Sequence, residues 1–106
     1  MRINDLRTIF DLQKEFMQEF PYLRLEFFKD THLAGQGTKE VTILDGKELV
    51  GDVRKVHNRG YIKLDGNLTV GGLEQAFAEI FGLHILIYRK SFGEWIKSYS
   101  SEASTL

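Results

Sequence analysis

Three histidines, His32, His57 and His84, are the first side chains to weigh for chemistry, because imidazole titrates near neutral pH and ligates metals. No two of them stand at HxH or HxxxH spacing, so no local metal pair is preformed. Asp30 and His32 could share an ion only with a third ligand brought from elsewhere, and a solvated loop is the simpler reading. His84 falls inside an apolar run, where a hydrogen-bonded sheet residue is expected. Cysteine is absent, which removes disulfides, thiolate zinc sites and cysteine nucleophiles. There is no Gly-x-Ser-x-Gly elbow, and no serine stands near a histidine in sequence. The run GQGTKE, residues 35–40, has glycines but lacks the GxxxxGK[ST] spacing that wraps a phosphate. Asp11, Glu15 and Glu19 lie along one helix with Lys14, a solvated arrangement and not an acid–base pair. Nothing selects a nucleophile, a general acid or a cofactor. The sequence predicts a chain without catalysis, cofactor or metal.

Binding chemistry has more to work with. Aromatic residues make up 12% of the chain, more than two helical stripes need. Arg59-Gly60-Tyr61 matches the opening of the third-strand motif with which RNA-recognition sheets stack bases, although Ile62 and Lys63 depart from it. Arg54, Lys55, Arg59 and Lys63 add local positive charge. Against that, 14 Lys and Arg are balanced by 15 Asp and Glu, a net charge of −1 that opposes general polyanion binding. No apolar run approaches the ~18 residues of a membrane-spanning helix. The opening MRINDLRTIF lacks the layout of a signal peptide, so a cytoplasmic setting with no membrane partner is expected.

A chain of 106 residues is one domain's worth. Two amphipathic helices must organise it. In the first, Ile9, Leu12, Phe16 and Phe20 recur at three and four residues, with Met17 beside them. Thr8 is its N-cap, and Asp11 stands at the capping-box position. In the second, Val70, Leu73, Phe77, Ile80 and Phe81 form the stripe behind Thr69. Pro21 and Gly82 end them. The two helices align with each other. An offset of 61 matches Thr8 with Thr69, Leu12 with Leu73, Phe16 with Phe77 and Phe20 with Phe81. One extra residue near Pro21 and Tyr22 then brings Leu23, Leu25 and Phe27 onto Leu83, Ile85 and Ile87. The match spans residues 1–29 and 62–89 and reads as a duplicated strand–helix–strand unit.

Strands follow from alternation. Leu23, Leu25 and Phe27 alternate with Arg24, Glu26 and Phe28, and Leu83–Arg89 is apolar on both faces, as a central strand is. Ser91-Phe92-Gly93-Glu94 can turn the chain, so residues 85–97 read as a hairpin. Tyr61–Leu64 reads as a strand before the turn Asp65-Gly66-Asn67. Residues 41–50 allow two readings. Asp45-Gly46 is either a hairpin turn or a cap to a helix. The preferred reading is a strand over 41–44 and a short helix from about 46 to 57, with Leu49, Val53 and Val56 on one face. The single domain is expected to cover residues 1–99, with a polar tail over 100–106. The last three residues, Ser104-Thr105-Leu106, fit the Ser/Thr-x-apolar pattern that PDZ grooves capture. The sum is an α+β two-layer sandwich: a mostly antiparallel sheet with helices on one face, ferredoxin-like or similar.

The second half resembles a known family. Thr69-Val70, Phe81-Gly82-Leu83, Arg89-Lys90-Ser91 and Trp95 reproduce, in order, features of a family of small uncharacterised Bacteroidetes proteins. Val56-His57-Asn58-Arg59-Gly60 is similar to that family's lead-in. The likeness covers residues 47–97 best. The family pattern has Gly directly after Arg-Lys-Ser, where this chain has Phe92. The resemblance implies a domain of that kind and no particular activity.

The helices leave one face of the sheet open unless the middle insertion packs over it and buries it as core. Alternation puts Leu86 and Tyr88 on that face, Tyr61 opposite in phase to Ile62 and Leu64, and Trp95 across the hairpin. Tyr61, Leu86, Tyr88 and Trp95 are therefore the candidate interface. The expected occupant is a protein partner, most simply a second copy of the chain in a homodimer. A single-stranded nucleic acid stacked on the aromatic face is the alternative.

Overall fold

Both apolar stripes become helices in the computed structural model, which describes residues 1–32 and 39–98 and, of residues 30–32, 39–41 and 98, the backbone alone. Helix α1 spans Ile9–Glu19. The Thr8 hydroxyl accepts from the Asp11 N–H at 3.1 Å, and the Asp11 carboxylate accepts from the Thr8 N–H at 3.0 Å, closing the expected capping box. Helix α2 spans Val70–Ala76, and the Thr69 hydroxyl accepts from the Gly72 N–H at 3.0 Å. Its last turn, Phe77–Phe81, widens to a π-helix, in which the Gly82 N–H reaches back to the Phe77 carbonyl. Gly82, at φ +65°, ends it in the left-handed region that glycine adopts freely. The wide turn keeps Phe77 and Phe81 buried but rotates Ile80 into solvent, at 51% exposure. Ile80 thus leaves the stripe that simple 3.6-residue spacing assigned to it.

Six strands accompany the helices: β1 (Arg2–Ile3), β2 (Leu23–His32), β3 (Lys39–Ile43), β4 (Gly60–Tyr61), β5 (His84–Ser91) and β6 (Glu94–Ser98). The main sheet has the order β3-β2-β5-β6, and all of its pairings are antiparallel. Leu25, Phe27, Ile85 and Ile87 point to one side, where they meet Leu12 and Phe16 of α1 and Leu73 and Phe77 of α2 in a single core. The rings of Phe27 and Phe77 meet edge to face at 5.6 Å. The molecule is an α+β sandwich, with both helices against one face of the sheet.

Strand β1 does not join that sheet. It pairs with β4 in a separate antiparallel ribbon, Arg2 opposite Tyr61 and Ile3 opposite Gly60. The Ile62 N–H adds one further bond, to the Met1 carbonyl at 2.8 Å. The strand expected over Tyr61–Leu64 is therefore confined to Gly60–Tyr61, because its partner strand is this short. Met1 and Ile62, matched by the 61-residue offset, bond to each other. Glu26 and Leu86, matched after the one-residue shift, are direct cross-strand partners. The first of these pairs closes the end of the ribbon, and the second lies within the β2–β5 pairing.

The helix expected from about 46 to 57 does not form. A single 3-10 turn, Val50–Asp52, stands there. The reason lies in the unpaired amides at the start of α1. The Glu48 carbonyl accepts from Ile9 at 2.9 Å, the Gly46 carbonyl from Phe10 at 2.9 Å, and the Arg7 carbonyl from Val50 at 2.8 Å. The segment therefore runs extended beside residues 5–10. Asp45 makes a tight turn by accepting from the Lys47 N–H at 2.8 Å. Gly51 lies so close to the chain that an added Cβ would stand 2.7 Å from Asp5 Cβ. Val50 is the buried member, while Leu49 and Val56 are exposed.

The β5–β6 hairpin forms as expected, with Ser91 opposite Glu94. Phe92 (φ +49°) and Gly93 (φ +81°) both take left-handed backbone, and the Phe92 side chain is fully exposed. Among the described residues no helix is long and apolar enough to cross a membrane.

Two substitutions test this architecture by urea denaturation. Phe77→Ala empties the point where α2 meets Phe27 of β2 and should cost about 3–5 kcal/mol. Phe92→Asn removes left-handed strain without removing a contact and should stabilise by about 1 kcal/mol.

Candidate functional site

The outward side of the main sheet is assembled by register. Across β3, β2, β5 and β6 it carries Ile43, then Phe28, Glu26 and Arg24, then His84, Leu86 and Tyr88, then Lys97 and Trp95. Leu86 and Tyr88 are half-buried by their neighbours, and Ile43 and Trp95 are exposed. The Phe28 and His84 rings lie 5.6 Å apart. Arg24 Nε donates to Glu26 Oε1 at 2.7 Å in the middle of the face. A shallow depression lined by Arg24, Glu26, Ile43, Tyr88 and Trp95 crosses it. Leu86, Tyr88 and Trp95 are thus brought together as alternation predicts, and no described element packs over them.

Tyr61 is not with them. It is exposed on the β1–β4 ribbon, directly opposite Arg2. The ribbon and the main sheet are separate, so Tyr61 leaves the four-residue interface, and Arg59-Gly60-Tyr61 does not occupy a third sheet strand. An open cleft of about 700 Å³ runs along the ribbon, lined by Arg2, Asn4, Asp5, His57, Arg59 and Tyr61 among others.

Sequence spacing gave no sign of the polar cluster beside that cleft. Arg54 is the one buried charged residue among the described residues. Its Nε and Nη2 donate to Asp5 Oδ1 at 3.0 and 2.7 Å, and its Nη1 donates to the Phe81 carbonyl at 3.0 Å. The other Asp5 oxygen meets His57 Nδ1 at 2.9 Å. These residues are separated by 49 and 52 positions in the chain, beyond the reach of any local motif. The Arg54 hydrogen bond, helped by His57, holds the Asp5 carboxyl below the usual carboxylate range against the opposing pull of partial burial. Asp11 is lowered as well, by the Thr8 backbone and hydroxyl of the capping box. Burial pushes Glu15 up, but the hydrogen bond and charge of Arg7 and the charge of the amino terminus outweigh it, and the net shift is downward.

A second groove lies between α1 and β2, along the edge of β2 before Phe28 that β3 does not cover. Phe10 and Met17 line it, and Gln13 Nε2 donates to the Leu25 carbonyl at 3.0 Å in place of a strand. Among the described residues no group of three or more His, Asp or Glu side chains could hold a metal ion. The Asp30–His32 side chains, residues 35–38 of GQGTKE and the whole 100–106 tail with Ser104-Thr105-Leu106 lie outside the described residues. Comparison with protein-family models, curated proteins and solved structures finds no match to this chain.

Acid stability follows from the three lowered carboxyls. A carboxyl whose folded value lies below its unfolded value stabilises fully above the unfolded value, here 3.8 for Asp5 and Asp11 and 4.5 for Glu15, and loses that contribution as pH falls through the folded value. The melting temperature should therefore hold through neutral pH and fall below this window. Asp5→Asn should flatten the fall, and Asp5→Ala should lower the melting temperature further at pH 7, because it leaves the buried guanidinium without its main acceptor. Thermal melts between pH 2 and 7 check both.

Proposed function

We propose that this chain is a non-catalytic cytoplasmic interaction module that self-associates through the outward face of its main sheet. The observation that carries the reading is the contiguous set Phe28, Ile43, Leu86, Tyr88 and Trp95 on a face that no described element covers. Tyr and Trp suit such a surface because each joins a large apolar ring to a polar tip. The occupant argued for is a second copy. The face carries both signs of charge, Glu26 opposite Leu86 and Lys90 at the hairpin end opposite Trp95, so a copy turned about a two-fold axis can set one against the other. A patch of roughly 300–500 Å² is below the ~800 Å² per partner of a standard interface, so the association should be concentration-dependent. Nucleic-acid stacking on this face has less support, since Tyr61 and the Arg59 region lie elsewhere. The same proposal extends to origin. The facing of Met1 with Ile62, and of Glu26 with Leu86, supports a duplicated strand–helix–strand unit.

The register dictates the test. Leu86→Glu would set a carboxylate directly across from Glu26 and weaken the sheet whatever the face does. Leu86→Lys with Tyr88→Glu instead places a cation opposite Glu26 and an anion between Arg24 and Lys97. Sedimentation velocity should show a wild-type dimer that dissociates on dilution and a monomeric double variant with an unchanged circular dichroism spectrum. A wild type that stays monomeric to millimolar concentration would overturn self-association.

A further inference from the structure

We propose that the cleft along the β1–β4 ribbon binds a nucleotide, with Tyr61 stacking on the base and Arg2 and Arg59 holding the phosphate. The proposal is independent of the sheet-face reading. Antiparallel pairing puts Arg2 and Tyr61 side by side on one face of the ribbon. Alternation around the inward Ile3 and Gly60 puts Asn4 and Arg59 on that same face, and all four line the cleft. Its volume of about 700 Å³ lies within the range of ligand sites.

The charge in the cleft is uncompensated where a ligand would sit. Asp5, the acidic residue of its lining, is already engaged by the buried Arg54 guanidinium. The side chains of Arg2 and Arg59 are exposed and make no hydrogen bond or ion pair among the described residues. Two guanidinium groups present planar forks of donors that match phosphate oxygens. Tyr61, 70% exposed, offers a flat ring next to them. His57 is anchored through Nδ1 by Asp5, which leaves Nε2, across the ring, as its remaining polar atom. A phosphate alone would use the cations and leave the ring idle. A nucleotide uses both. The nucleotide is either free or one unit of a single strand, and the two sources share this chemistry.

Nuclear magnetic resonance titration of the intact chain distinguishes the outcomes. The probes are adenosine monophosphate, an eight-residue oligo(rA), adenosine and inorganic phosphate. The nucleotide should shift the backbone amides of Arg2, Gly60 and Tyr61 and leave those of Leu86 and Tyr88 in place. Tyr61→Ala and Arg59→Gln should each weaken binding about tenfold, and Tyr61→Phe should retain it. If the oligomer binds more than tenfold tighter than the monophosphate, the source is a strand. Two phosphate contacts then predict about a sevenfold loss between 50 and 200 mM salt. Equal affinity points to the free nucleotide. Shifts centred on Leu86 and Tyr88, phosphate binding as tightly as the nucleotide, or an unchanged affinity in Tyr61→Ala would each overturn the proposal.

Discussion

A buried guanidinium sets the terms for the middle of this molecule. Taking a charge out of water costs several kcal/mol unless its donors are met, and Arg54 meets them with one carboxylate oxygen of Asp5 and the Phe81 carbonyl. Those partners come from the loop before α1 and from the last turn of α2. Three distant stretches are therefore fixed at one point. Residues 46–53 can then do nothing but run beside residues 5–10, where their carbonyls also take the first free amides of α1. Gly51 is required because the 3-10 turn passes against Asp5 with no room for a side chain. The 3-10 turn at Val50–Asp52 is what remains of helical character once that path is imposed.

The second constraint is the register of the two antiparallel pairings, β1 with β4 in the ribbon and β2 with β5 in the main sheet. A shift of one residue in β2 against β5 would send Leu25 and Phe27 to the outside and Glu26 into the core, so burial of those two side chains holds the register. That register is also what places Glu26 opposite Leu86 and Tyr88 between Arg24 and Lys97. The composition of the outer face is thus a by-product of how the inner one packs.

Local pattern made the helices, their caps, β2, β5 and the β5–β6 hairpin readable, because each depends on spacing within about one turn or one strand. Leu12, Phe16, Leu73, Phe77, Leu25 and Ile85 are buried together as the stripes require. What failed did so for non-local reasons. The 46–57 helix had a plausible cap in Asp45, but its carbonyls are taken by α1. Ile80 had the right spacing until the chain widened by one residue per turn. Phe92 takes a left-handed backbone position, and nothing in its own residue type announces that. On the candidate surfaces, Leu86, Tyr88 and Trp95 were legible because one strand and one hairpin relate them. Tyr61 was not, since its neighbours depend on which sheet β4 joins. The Asp5–Arg54–His57 cluster left no trace in spacing at all.

The separation of Tyr61 from Tyr88 has a physical origin and is not an accident of one loop. Ile3 and Ile62 of the ribbon face the same core as Leu25 and Ile87 of the sheet. Two walls that turn their apolar sides toward one interior must turn their other sides apart. Residues on the outer face of the ribbon therefore cannot merge with those on the outer face of the sheet while the core stays closed. The aromatic and basic material that looked like a single surface in one dimension is divided by the core into two. The ribbon receives Arg2, Arg59 and Tyr61, whose charge has no acidic counterpart free to meet it. The sheet receives Leu86, Tyr88 and Trp95 around an ion pair that is internally balanced. Each surface is thereby suited to a different chemistry, an anion bearing a ring on one and an apolar, self-matching surface on the other.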